Sequence, residues 1–284
     1  MIVVLIICII LFYTHLRQQF KYSNDLELYE ILNPSRIELH ELCDIKQPIL
    51  FNINELSGLL GTHIDKLCTE YGKHEINIRE LDDNNNNNNT NNKTMFLSDG
   101  LTLFDTNTDI SNNKIFISEN NHQFLNDTLL NFSLRKIDDI LRPNWTVKYS
   151  YDFNIGSTNF TSILKSNIHC HYYLMVMEGE ITLKLFPPIN YKYLYDGIDD
   201  TGNNFTSKIN IWDIPDNMIS RVSKTVSMTV NVKKGQIFFI PSRWWYSYKF
   251  NSKTILYTAK YVTLGNLISN TKFMILARFI PLKI

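Results

Sequence analysis

The sequence has no net charge, few cysteines and no histidine after His171. Lys plus Arg and Asp plus Glu both number 28, so no global field draws the chain to nucleic acid or another polyanion. The four cysteines include Cys8 in an apolar terminus, which leaves Cys43, Cys68 and Cys170 in the body. That odd number, with no C-x-x-C pair, excludes a disulfide framework and a cysteine zinc site. No G-x-S-x-G elbow or phosphate-binding glycine loop occurs, so the serines of "GSTNFTS" have no support as nucleophiles.

What is present begins with an apolar run. "MIVVLIICIILFY" carries no charge until Arg17, and such a segment does not stay in water unaided. Residues 1–22 read as an N-terminal transmembrane anchor, somewhat short for a bilayer core of about 30 Å. An uncleaved anchor is favoured over a cleaved signal, because no basic region precedes the run and no small-x-small site follows it. Arg17 and Lys21 place the body on the cytosolic side. Seven N-x-S/T sequons, Asn88, Asn126 and Asn204 among them, favour the other side, although an Asn-rich chain generates sequons by chance. The tract "DDNNNNNNTNNK" has no apolar group to offset the entropy of ordering, so 82–94 reads as a disordered insertion. Its bias fits an AT-rich coding genome, such as that of a large DNA virus or a protist, and hence a host membrane or virion.

Between anchor and insertion, "NPSRIELHELCD" reads as a helix entered at Pro34 and Ser35, "PILFNI" as a buried strand, and "INELSGLLGTHIDKLCTEYGK" as a helix ending at Tyr71 and Gly72. "HEINIRE" restores a strand, and "HQFLNDTLLNFSLRKIDDILRP" is helical until Pro143. From Asn144 onward short strands follow one another. "HYYLMVMEGEITLKLFPP" reads as a hairpin turning at Glu178 and Gly179, and "KTVSMTVNVKKGQIFFIP" as another turning at Lys234 and Gly235. The fold class is α+β, mainly β: a jelly roll over 144–262, an N-terminal α/β region over 23–143, and a C-terminal helix over 263–284.

In order and spacing these segments resemble the JmjC-type, cupin-like family of iron and 2-oxoglutarate oxygenases. The likeness runs from about Tyr29 to Asn266 through "NPSRIELHELCDIKQPILF", "YGKHEINIRE", "FLND", "GSTNF", "MEGEITLKLFPP" and "VKKGQIFFIPSRWWYSYKF". The resemblance implies an H-x-D/E pair and a later His holding Fe(II). Counting back from Gly179 by the family's spacing lands on Ser166 and Ile168, and the third position follows the tryptophan pair, where Tyr246, Ser247 and Tyr248 stand. A phenol is not an ordinary Fe(II) ligand at neutral pH. The family's 2-oxoglutarate lysine corresponds to Ile181, while Lys184 lies on the other strand face. The chain therefore reads as a degenerate member without catalytic, cofactor-binding or metal-binding residues.

The objection is "HCH": His169 and His171 share a strand face, as metal-binding H-x-H pairs do. Their odd offset from the expected register turns them to the opposite face, so they remain weak metal candidates. The acidic "DGIDDTG", with Asp196, Asp199 and Asp200, lacks the further ligands of a calcium loop. Tyr191, Tyr193 and Tyr195 alternate as on one strand face, and the tryptophans 244 and 245 are expected at the barrel mouth. Apolar residues of "NLISNTKFMILARFIPLKI" recur at helical spacing, which favours core packing or a homodimer over membrane-surface association. Two functions remain. One is a membrane-anchored, catalytically silent module with no cofactor and an unknown protein partner. The alternative is a divergent hydroxylase that uses Fe(II) and 2-oxoglutarate through His169, His171 and a carboxylate such as Asp152.

Overall fold

The computed structural model describes residues 2–19, 21–53, 64–81, 92–105, 115–198 and 204–279. Of the insertion 82–94 expected to be disordered, residues 82–91 lie outside the described residues, as do Asp199, Asp200 and most of the "INELSGLLGTH" segment, whereas 92–94 are ordered in a strand, Asn92–Phe96, paired with Glu75–Leu81.

Helix α1 (Ile2–Gln19) opens the chain and is followed by β1 (Tyr29–Leu32), α2 (Arg36–Ile45) and β2 (Ile49–Asn52). The Ser35 hydroxyl caps α2 by accepting from the Glu38 amide at 3.3 Å. Next come α3 (Ile64–Tyr71), β3 (Glu75–Leu81), β4 (Asn92–Phe96), α4 (Leu97–Asp105) and β5 (Ile115–Ser118). The long helical stretch before Pro143 is two helices, α5 (His122–Asp127) and α6 (Leu130–Leu141), divided where Leu129 takes a φ of 58°.

The strand-rich part runs β6 (Thr146–Gly156), β7 (Lys165–Asn167), β8 (His171–Glu178) and β9 (Glu180–Phe186). An excursion holds α7 (Tyr191–Leu194), β10 (Gly197–Ile198), β11 (Asn204–Thr206) and α8 (Asp216–Val222). The chain then returns through β12 (Met228–Lys233), β13 (Gln236–Pro241), β14 (Trp245–Phe250) and β15 (Thr254–Thr263) to α9 (Leu264–Phe279). Among the described residues the strands form a nine-stranded sheet, β1-β2-β13-β8-β15-β6-β5-β3-β4, and a six-stranded sheet, β10-β11-β7-β14-β9-β12. Strands from before and after Pro143 share the larger sheet.

The two expected hairpins are not hairpins. β8 lies in the larger sheet and β9 in the smaller, and β12 and β13 are divided in the same way. Each glycine turn carries the chain from one sheet to the other, which is what makes a jelly roll. Gly179, at φ +80°, sits where an added Cβ would meet the Lys253 carbonyl oxygen and the Thr254 hydroxyl at 2.5 Å. Gly235 has a similar φ, +83°, in open space.

This topology makes three apolar layers. Tyr172, Leu174 and Val176 of β8 face inward, between the sheets, with Leu183, Leu185, Phe238, Trp244, Tyr246 and Tyr248. Tyr173, Met175 and Met177 face outward under α2 and α6, with Leu39, Leu134 and Tyr261. A third cluster, including Trp245, Phe205 and Leu194, covers the outer face of the smaller sheet beneath the β9–β12 excursion. The two adjacent tryptophans are fully buried on opposite faces of β14 rather than at a mouth. Tyr191 and Tyr195 are not strand neighbours either. They stack at 4.7 Å around α7, as the i, i+4 spacing of a helix brings them together.

The N-terminal segment folds as a helix, but among the described residues no helix is long and apolar enough to cross a membrane. Thr14, His15, Arg17, Gln18 and Gln19 make the last part of α1 polar. Its apolar part, Ile2 to Tyr13, is about 18 Å long at the helical rise, well short of the bilayer core.

Candidate functional site

In this fold the metal-carrying strands would be β7 and β14. They pair antiparallel with Trp245 opposite Ser166 and Tyr246 opposite Lys165. Residues directly opposite share a face. Tyr246 belongs to the inner layer and Trp245 to the outer cluster. Lys165 and Asn167 therefore point between the sheets, and Ser166 points out. Ile168 lies with Trp245 in the outer cluster. The positions counted from Gly179 thus miss the inner face by one residue. Residues 168–170 are irregular between β7 and β8, and an irregular step does not preserve strand alternation.

The inner face of this strand pair presents a lysine, an asparagine and a tyrosine. The Lys165 ammonium stands 5.8 Å from the centroid of the Tyr246 ring, within cation–π reach. The Tyr246 and Tyr172 rings lie 5.4 Å apart, and the Lys260 ammonium stands 5.4 Å from the centroid of the Tyr172 ring. Asn167 is fully buried, and among the described residues neither its amide nitrogen nor its amide oxygen has a hydrogen-bond partner.

These residues do not fit an Fe(II) site. An ammonium has no lone pair to give, and a carboxamide is a poor substitute for a carboxylate. Burial pushes the neighbouring Tyr172 phenol upward, partly offset by hydrogen bonding to Tyr246 and Thr258. Burial drives Tyr248 in the same direction, reinforced by the negative groups of Glu119 and Asp152. A divalent ion roughly 5 Å from an ammonium would be repelled by about 7 kcal/mol at an effective dielectric of ~20. Among the described residues, no group of three or more His, Cys, Asp or Glu side chains is placed to hold a metal.

Ile181, at the position the resemblance gives to 2-oxoglutarate binding, and Lys184 lie on opposite faces of β9. Ile181 faces the inner apolar layer and is fully buried. Lys184 lies on the opposite face, where its ammonium donates to the Ile211 carbonyl at 3.0 Å and covers the Trp212 ring at 4.5 Å. Burial, with Lys249 nearby, lowers the Lys184 pKa.

The two candidate histidines are not brought together on an inner face. His169 is half-buried in the irregular link, and only His171 begins a strand. His171 lies outside the barrel, stacked on His40 at 5.5 Å and 3.0 Å from the Tyr173 hydroxyl through Nδ1. That hydroxyl also contacts the Cys43 sulfur at 3.6 Å. Burial holds His171 well below the usual imidazole range, and Lys46 and His40 add to the effect. Asp152 is occupied elsewhere: its oxygens accept from the Asn120 and Asn121 amides at 3.0 and 2.7 Å. Burial raises its pKa in spite of these bonds. Asp196 is a bracing residue of the excursion, accepting from Arg221, Ser207 and the Lys208 amide.

Lys165 and Asn167 were not singled out by sequence. The available signal was Tyr246: its partner across the ladder fixes which residues of "LKSNIHC" face inward, whereas a count from Gly179 passes through the irregular link.

The jelly-roll topology and the disposition of β7 and β14 define a cupin-type domain. The sequence matches the cupin-like domain family over residues 52–261, so the chain belongs to that family. No curated protein matches it.

Proposed function

We propose that this chain is a cupin-like binding or structural module that does not carry out iron-dependent oxygenation. The observation that supports this most is the inward set Lys165, Asn167 and Tyr246 on the paired strands β7 and β14. The inner layer around them is filled by buried tyrosines and aliphatic side chains, which directs function to the surface and to a protein partner or a second copy. Balanced charge gives nucleic acid no electrostatic preference for this surface. The same reading holds the module at a membrane through α1, whose apolar side chains are exposed along its length.

The test is ligand-induced stabilisation of the intact protein. A ligand that binds only the folded state raises its unfolding midpoint. Mn(II) and 2-oxoglutarate, alone and together, are expected to leave that midpoint unchanged, and Fe(II) with 2-oxoglutarate to yield no succinate. A midpoint raised by both together and reversed in His169→Ala would instead favour the divergent hydroxylase using His169, His171 and Asp152.

A further inference from the structure

The two ends of the described chain meet. α1 packs against α9, and over residues 264–271 the side of α9 that faces the barrel is polar. The Asn266 and Asn270 amides both donate to the Ile168 carbonyl, at 2.9 and 3.1 Å, and Ser269 is buried beside them. The apolar residues Leu264, Leu267 and Ile268 of the same helix remain exposed. Where α9 begins, the Leu264 amide donates to the Trp145 carbonyl at 3.1 Å. Trp145 is held at a φ of 63° and is 75% exposed, with Val147 also exposed nearby on β6. A tryptophan in a left-handed backbone conformation, projecting into solvent, is unfavourable on both counts without something apolar to receive it.

The exposure of α1 identifies the occupant. Ile2, Val3, Val4, Leu5, Ile6 and Ile7 are consecutive, and each is about half exposed or more. At 100° per residue they cover every side of the helix. A protein groove takes one stripe of a helix, whereas lipid reaches every side that α9 leaves uncovered. Depth follows from length. The apolar part of α1 reaches about 18 Å, close to one leaflet of about 15 Å and far from a full core. Arg17 and Lys21 then come at headgroup level, where cations are favoured.

The geometry points to a platform that enters a single membrane leaflet: α1 inserts, and the apolar side of α9 with Trp145 lies at the interface. It rests on the membrane reading above and changes its topology from spanning to one-sided. The barrel then stands on the leaflet through α9, with the irregular link between β7 and β8 on the membrane side.

The test uses the intact protein and preformed phosphatidylcholine vesicles. The protein is expected to float with the vesicles, and Trp145→Gly, which suits the positive φ, to partition about tenfold more weakly with an unfolding midpoint in solution at or above that of the wild type. An Ile2→Cys variant is then exposed to a membrane-impermeant maleimide sealed inside the vesicles. No labelling beyond that of the wild-type chain is expected. Labelling from inside would show that α1 spans, which overturns the one-leaflet platform and leaves the membrane reading standing. Failure of the folded protein to float overturns both. Unweakened flotation of Trp145→Gly removes Trp145, and with it the α9 surface, from the platform.

Discussion

The two faces of β8 handle buried polar groups in opposite ways. On the outer face, Asp138 accepts from the Tyr151 and Tyr261 hydroxyls at 2.5 and 2.6 Å, and His171, Tyr173 and Cys43 form a connected chain. Across the barrel from the inner face, Asn167 is buried with an unpartnered amide beside an ammonium and a tyrosine. The outer groups are structural members of a helix–sheet interface. The inner ones face between the sheets on the paired strands β7 and β14, where the proposed reading puts the counterparts of the family's ligands. Strands that keep the family's course need not keep its chemistry, because the frame depends on corners and apolar layers, and the site on three side chains.

The largest effect that sharpens this contrast lies at a corner. Gly179→Ala is expected to destabilise the fold by about 3 kcal/mol, combining a left-handed backbone with contacts at 2.5 Å. Gly235→Ala, in open space, is expected to lose only about 1 kcal/mol. Urea unfolding of the pair measures the difference, and equal losses would mean that the Gly179 corner is not tightly packed. Next is Asp138→Ala, which strands two buried hydroxyls and is expected to destabilise by about 2 to 4 kcal/mol. Asp138→Asn, which keeps an acceptor, is expected to lose less in the same assay.

His171 gives the pH dependence. Its folded pKa is lowered, so the unfolded chain takes up the proton first. The stability this group contributes is present above its unfolded pKa of about 6.5 and is lost as pH falls below it. His40, also lowered by burial and by Arg36, acts in the same direction, with Lys46 and Tyr173 as the other neighbours. Thermal midpoints between pH 7.5 and 5 are expected to fall in the wild type and to fall less in His171→Phe. A wild-type midpoint that rises on acidification would contradict the burial of a neutral imidazole. The smallest effect is at Asn167. Replacing an unpartnered buried amide by an apolar group of similar size is nearly neutral or stabilising, so Asn167→Leu is expected within about 1 kcal/mol of the wild type, or above it. A large loss would reveal a partner for that amide.

Much of the frame was legible in the sequence, because apolar runs ending at Gly179 and Gly235 mark strands whatever their partners. Partner choice was not legible. A glycine at positive φ serves a hairpin and a corner between sheets equally well, and only the layer contacts separate them. Tyr191 and Tyr195 fit both a strand alternation and a helical turn, and the turn prevails where both meet Phe205 edge-on and Tyr191 leans against Trp245. The apolar terminus was recognised for what it is chemically, but its polar last third makes α1 shorter in effect than a membrane span. The count from Gly179 lands on Ser166 in β7 and Ile168 just after it, which face outward with Trp245. His171 lies outside the barrel for a different reason than that count supplies: the link 168–170 resets the alternation, and the Ile168 carbonyl within it is held by Asn266 and Asn270 of α9.

The most direct measurement is metal content after rebuilding the site in two registers. The triple variant Lys165→His, Asn167→Asp, Tyr246→His places three ligands on the inner face, and Ser166→His, Ile168→Asp, Tyr246→His places them in the counted register. After anaerobic loading with Fe(II), the first is expected to approach one metal per chain, and the second and the wild type to retain none. Stoichiometric metal in the wild type, or in the second variant and not the first, would contradict the assignment of Lys165, Asn167 and Tyr246 to the vacated ligand positions.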